Sequence, residues 1–391
     1  MSTEGKYVAK SGFYIKTGEL KAAVQRFKHV IPKKEADDIL KRLLVQQINR
    51  RLELHGSDGE IYAVSVLNVE PIEDTKIDVG VAVPYKELRD YLEHIPEETT
   101  IKCVYSDDEE EVRYILIESE YGQRTFHGID SCNYLQEPKF SSTNFAIMKV
   151  GDFRDMIDQT IFAVDDMPYS KLGGVYFHCL SDKTIFVATN RAILSMYEKA
   201  DLIFTEPKSV VVPTKVLQAF VAGIKGSSKD EDILIYISDD HILLVNKSFA
   251  LFSKCLGRDF SDYKKVIPRE TPNVATFERD RLYKVVKRLT ASVDKKEVPR
   301  IEFAFSDDYV ELCAPNAQAG VANTEQMICN YVGDALKVSF IAQWLLSILE
   351  NIKSERIIMR ITSSTRPVII EPKPQDMQFN MLCLIMPLAE K

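Results

Sequence analysis

The chain has 391 residues, 45% of them hydrophobic and 28% charged, with a net charge of −8 and a pI near 5.5. That composition fits a soluble globular protein of two to four domains, at about 100–200 residues each. It offers no run of roughly 18 apolar residues for a membrane span. The polar start MSTEGKYVAK lacks the apolar core of a secretion signal. The seven cysteines (Cys103, Cys132, Cys179, Cys255, Cys313, Cys329 and Cys383) are scattered without a CxxC spacing, so a reducing cytoplasm is expected.

A helix is predicted over 18–31 (GELKAAVQRFKHVI), where Leu20, Val24, Phe27 and Ile31 form one apolar stripe. Residues 43–58 (LLVQQINRRLELHGSD) read as strand, turn and strand, since each arm alternates apolar and polar residues around a polar turn. Residues 81–95 (VAVPYKELRDYLEHI) read as a strand running into a second helix. Pro84 stands at the first helical position, where its missing N–H costs nothing. A strand follows at 99–106, then a polar linker with proline at 135–143. The same order returns as helix 151–164, hairpin 174–190, strand and helix 210–224 with Pro213, strand 232–239 and linker 266–274. It returns again as helix 279–293, hairpin 301–316, strand and helix 338–352 and strand 356–363.

The spacing is regular. Leu20, Phe153 and Leu282 lie 133 and 129 residues apart; Val83, Val212 and Phe340 lie 129 and 128 apart. A solenoid unit is much shorter, about 20–50 residues, whereas this period has the size of a small domain. Each copy reads as two helices backed by about six to eight strands, an α+β architecture. The expected domains are 1–142, 143–270 and 271–391. Three similar domains in a row make a curved object, which self-association can close into a ring.

An acidic total argues against nucleic-acid binding, because phosphate contact requires Lys and Arg. A total does not say where charges sit. In the third copy Leu282, Val286, Leu289 and Val293 form the apolar stripe, and Arg281, Lys284, Lys287 and Arg288 lie at its edge or opposite. With Arg279 and a single acid, Asp280, that helix carries +4. In the first copy Lys21, Arg26 and Lys28 against Glu19 give +2, and Lys33 and Lys34 follow. Cations opposite an apolar stripe, with few aromatics among them, suit contact with phosphates rather than bases. The second copy departs: Asp152, Asp155 and Asp158 against Arg154 give −2, and its second helix recovers only Lys215 and Lys225. The lining expected to face DNA is therefore uneven.

Three stretches resemble the bacterial DNA polymerase III beta subunit family, the beta sliding clamps. They are FVATNRAILSM (186–196), GRDFSDYKKVIP (257–268), and STRPVIIEP (364–372) with LCLIMPL (382–388). Together with the triplication they cover essentially the whole chain. The resemblance implies three sliding-clamp domains, each with two helices packed on antiparallel sheets. It implies a head-to-tail homodimer that encircles duplex DNA without sequence preference, with Lys34 and Lys215 at basic positions of the family. It further implies a clamp loader, the DNA polymerase III catalytic subunit, and other proteins that dock by short peptides. Position by position, the docking pocket falls on Leu172, Thr189, Arg191, Leu194, Val266, Leu384, Met386, Pro387 and Leu388. These are mostly apolar residues with flexible Met and Leu, as a peptide groove requires. Asn190, Arg191 and Ala192 stand where the family has Asp-Gly-His, Ser261 replaces a common proline, and three residues follow Leu388. Arg191 is bulky enough to narrow the pocket mouth, or it can pair with an acidic peptide. The acidic second copy keeps an alternative open: a clamp-like regulatory module that recruits partners without encircling DNA.

No catalytic constellation assembles. The chain has no phosphate-binding glycine loop, so neither nucleotide nor other cofactor is expected. The acidic run 107–111 reads as a solvated hairpin turn between two strands. His178 and Cys179 are neighbours in a strand, so they face opposite ways and cannot share a metal. Cys255 and Cys383 lack a basic neighbour to activate them. Trp344 is expected in the core, and residues 121–126 are a plausible edge strand for the dimer seam.

Overall fold

Among the described residues six helices carry the apolar stripes: α1 (Thr17–Gln25), α2 (Tyr85–Leu92), α3 (Val150–Thr160), α4 (Thr214–Gly223), α5 (Arg279–Thr290) and α6 (Ala342–Asn351). The computed structural model describes residues 11–33, 36–72, 78–106, 114–167, 170–257, 260–291, 298–316, 321–375 and 379–388. In α1 and the turn after it, Leu20, Val24, Phe27 and Ile31 are all buried. In α5 the buried set is Leu282, Val285, Val286 and Leu289; Val293 lies outside the described residues.

The first helices stop earlier than their periodicity suggests. α1 and α3 each give way to a tight 3-10 turn, Arg26–His29 and Ile161–Ala163. Such turns commonly end an α-helix and can keep the same face buried. The prolines also sit one residue earlier than expected. Pro84 and Pro213 are the last residues of strands, opposite Arg42 and Gly174, and the helices begin just after them. A capping position also needs no intrahelical N–H bond, so proline fits there equally well.

The residues divide into two compact units, Met1–Gly151 with Lys215–Cys255, and Asp152–Thr214 with Leu256–Lys391. The first unit holds a five-stranded sheet and a nine-stranded sheet. Among the described residues its small sheet ends at strand Gly122–His127, so the expected edge strand is one residue out of step and lies at that end of the sheet. Its large sheet joins the first repeat to the second through strands Ile61–Asn68 and Phe249–Lys254. The second unit likewise holds a nine-stranded and a four-stranded sheet. There Ile193–Lys199 of the second repeat pairs with Phe379–Ile385 of the third. Pairing between repeats removes strand edges that would otherwise be open. It also divides the second repeat between the two units.

Phe249 holds the centre of the first unit. It is 2% exposed, and its ring centroid lies 6.1 Å from Phe27 and 6.0 Å from Phe220 of α4. In the second unit Phe277, Phe303, Phe305 and Phe340 make a comparable aromatic core. Trp344, expected in the core, is instead half-buried on α6. Run 107–111 lies outside the described residues, although the strands flanking it, Thr100–Tyr105 and Tyr114–Ser119, pair as expected.

Candidate functional site

The basic face of α5 is opposite its buried stripe. Arg281, Lys284, Lys287 and Arg288 are all exposed. Arg288 is engaged: its Nη2 donates to both oxygens of Glu325, at 2.6 and 2.8 Å. Lys287 lies 5.2 Å from the Tyr283 ring centroid. Arg279, counted in the charge of this helix, turns inward and donates to the backbone oxygens of Ser354 and Leu349.

The first repeat is less uniform. Lys28 is exposed, while Lys21 is partly covered and pairs with Glu97 at 3.0 Å. Lys34 lies outside the described residues. Lys215, at the start of α4, is exposed and pairs with Asp58. Arg26 differs from all of these. Its Nη1 donates to Ser65 Oγ at 2.9 Å and to the Ser248 carbonyl at 2.8 Å, and burial pulls its pKa below the usual value. Its guanidinium ties α1 to a strand turn instead of pointing into solvent. The physical reason is the tight turn at Arg26–His29, from which the side chain reaches the sheet. Replacing Arg26 by Ala should cost about 1–3 kcal/mol of stability, the usual scale for hydrogen bonds of a charged group. Denaturant unfolding would register that loss, while the salt dependence of DNA association should stay unchanged.

The acidic helix is neutralised within its own unit. Lys199 reaches Asp152 at 3.1 Å and Asp201 at 2.9 Å. Burial works against the charge of Lys199, but these two carboxylates outweigh it and raise its pKa. Lys353, just after α6, reaches Asp155 at 2.5 Å and Asp158 at 3.5 Å. The count of −2 on this segment therefore overstates its field.

The second constellation lies on one face of the large sheet of the second unit. Thr189 is opposite Leu194, Leu194 is opposite Leu384, and Leu384 is opposite Ile369, so these side chains line up across four strands. Ile185, Val187, Leu194, Ile369 and Leu384 pack with Tyr263, which comes from the connector after Phe260. Tyr263 is pinned by its hydroxyl to His178 Nδ1 at 2.8 Å, and Tyr176 stacks on Phe260 at 4.6 Å. Burial first, then nearby Lys264, depresses the His178 pKa, which favours the neutral ring. At the rim, Val266 is 49% and Met386 37% exposed, Pro387 and Leu388 are half-buried, and Leu172 is buried. Backbone bonds fix the rim: Met386 N donates to Ala192 O and Leu388 N to Ser339 O, both at 2.8 Å. Leu172 O accepts from Asp165 N at 3.2 Å, and the Asp165 carboxylate lies within the field of Arg191.

Thus Thr189, Leu194, Leu384 and Met386 form one connected strip, with Val266 at the end of the Tyr263 turn. The aromatic plate of Tyr176, His178, Phe260 and Tyr263 was not singled out from sequence. Its signal was there, in the alternation of Tyr176 and His178 along one strand. Among the described residues no group of three or more His, Cys, Asp or Glu side chains converges as a metal site. Burial pushes the thiols of Cys179, Cys255 and Cys383 up to about 12, far from a reactive thiolate.

The chain matches the DNA polymerase III beta subunit N-terminal domain over residues 11–128, the central domain over 148–262 and the C-terminal domain over 264–388. The beta sliding clamp of Lactococcus lactis is 23% identical over 381 residues, covering 95% of this chain and 97% of that protein. The beta sliding clamp of Pseudomonas aeruginosa is 23% identical over 368 residues, covering 93% and 96%. The fold matches a crystal structure of a P. aeruginosa sliding clamp with a TM-score of 0.89 at 20% identity, over 98% of this chain and all of the other. It matches the Thermotoga maritima beta subunit with a TM-score of 0.86 at 18% identity, over 97% and 100%. The chain belongs to the DNA polymerase III beta subunit family, the beta sliding clamps.

Proposed function

We propose that two copies of this chain close head to tail into a ring of six domains around duplex DNA and tether the replicative polymerase there. The six domains would be two copies each of the repeats 1–142, 143–270 and 271–391, with strand Gly122–His127, at the end of its sheet among the described residues, at the seam. The role is mechanical, as in other sliding clamps, and the chain makes no bonds itself. The observation that carries this reading is α5, whose exposed cations stand opposite a wholly apolar buried stripe. Arg281, Lys284 and Lys287 would supply most of the phosphate contact, with Arg288, Lys21, Lys28, Lys34 and Lys215 adding to it. Such contacts are diffuse and sequence-independent, which suits sliding. The carboxylates of α3, paired with Lys199 and Lys353, no longer motivate a module that recruits partners without encircling DNA.

The pocket of Leu172, Thr189, Arg191, Leu194, Val266, Leu384, Met386, Pro387 and Leu388 would receive peptides of the polymerase catalytic subunit, the clamp loader and other clamp-binding proteins. No helix among the described residues is long and apolar enough to cross a membrane, and a cytoplasmic site of action fits this role. The test is retention on a nicked circular plasmid after loading. Protein should stay on the circle and be lost when the plasmid is linearised, and free protein should elute near twice 44.5 kDa. Equal retention on circular and linear DNA, or a stable monomer at micromolar concentration, would count against the ring.

A further inference from the structure

Two turns of this chain share one hydrogen-bond pattern. In the first, Ser57 Oγ accepts from Gly59 N at 3.0 Å and donates to Ile61 O at 2.7 Å, while Asp58 Oδ1 accepts from Glu60 N and Ile61 N at 2.9 and 2.7 Å. In the second, Thr189 Oγ1 accepts from Arg191 N at 3.1 Å and donates to Ile193 O at 2.7 Å, while Asn190 Oδ1 accepts from Ala192 N and Ile193 N at 3.0 and 2.9 Å. The third residue of each turn has positive φ: +94° at Gly59 and +75° at Arg191. Glycine adopts that conformation freely, and a residue with a Cβ does so at a steric cost. The second turn thus carries a large side chain where the geometry favours none. Strain of this kind, observed at the rim of a binding surface, points to function.

The Arg191 side chain is exposed. Asp165, at the Leu172 end of the rim, is held below the usual carboxylate range first by its bonds from Ser170 and Met167, with the charge of Arg191 the least of the causes. The Asp165 carboxylate already accepts from Ser170 Oγ at 2.7 Å and Met167 N at 3.2 Å. Arg191 takes part in no ion pair among the described residues. A cation therefore stands beside an apolar strip without an ion-pair partner among the described residues.

We infer that Arg191 sets the peptide specificity of this pocket, by pairing with an Asp or Glu side chain of a short extended peptide. The apolar side chains of that peptide seat against Val266 and Met386, the exposed end of the strip whose Leu194 and Leu384 are buried beneath. This inference rests on the pocket reading above. A bidentate guanidinium–carboxylate pair supplies direction as well as attraction, which a lysine or a glycine in this turn could not.

The test uses the full-length protein and synthetic fluorescent peptides that share their apolar residues and carry either Asp or Asn at each remaining position in turn. At low salt the wild type should bind the best Asp peptide about two- to fivefold more tightly than its Asn counterpart, the scale of one exposed charge pair. Arg191→Gly, which suits the turn and should fold, should bind both peptides equally. Arg191→Glu should reverse the preference. Equal binding of the two peptide series by wild type, with binding still abolished by Met386→Asp, would overturn the inference and leave the pocket standing. Binding by no peptide, or binding indifferent to Met386→Asp and Val266→Asp, would remove the pocket reading and the inference with it.

Discussion

Reversing Arg281, Lys284 and Lys287 to Glu together is expected to reduce affinity for duplex DNA about 100- to 1,000-fold while leaving self-association intact. Each lost phosphate contact lowers the slope of log K against log salt by about 0.9, so the slope should fall by about three. The new carboxylates add repulsion of the same range. The three side chains are exposed, and the stripe that holds the helix in place is on the other side. Folding should therefore change little, apart from a few tenths of a kcal/mol from placing a negative charge in the last turn. Arg288 is left alone deliberately: Glu in its place would face Glu325, its present bidentate partner, and confuse stability with binding. Filter binding across a salt series would report the slope, and elution volume would report assembly. An unchanged slope would mean that this face does not meet DNA.

How much of this was legible beforehand differs from feature to feature. The stripes of α1 and α5 were readable because a helical period places Leu20, Val24 and Phe27, or Leu282, Val286 and Leu289, on one side whatever they pack against. The alternation in 43–58 and 174–190 likewise gave strands. Alternation tells which way a side chain points, and it does not tell which strand lies alongside. The pairing of Ile61–Asn68 with Phe249–Lys254 links residues far apart in sequence, so the continuity of the large sheets was invisible. A count of charges is blind for the same reason at two places. It does not show that the turn at Ser248 reaches Arg26, or that Lys353 stands beside Asp155 of α3. Both partners come from distant segments. The pocket positions came from resemblance, and the left-handed backbone at Arg191 has no signature in the residue itself.

The junction of the first two repeats makes the largest stability prediction. Phe249 starts the strand that pairs with Ile61–Asn68, opposite Ser65, and its ring lies between Phe27 and Phe220. Phe249→Ala should cost about 3–5 kcal/mol, as expected for a fully buried aromatic whose surroundings cannot collapse. Gly223, in the last turn of α4, faces the same ring, and a Cβ there would overlap it. Gly223→Ala alone should therefore cost about 1–3 kcal/mol for overpacking, offset in part by roughly 1 kcal/mol of helix propensity. With Phe249 already shortened the collision is gone. The added methyl then enters open space, and the helix gain remains. The double variant should accordingly be more stable than Phe249→Ala alone, with a coupling of about 1–3 kcal/mol between the sites. Denaturant unfolding of all four proteins completes the cycle. Simple additivity would show that α4 does not press on Phe249, and that the close approach of helix and sheet at this junction is not what holds the two repeats together.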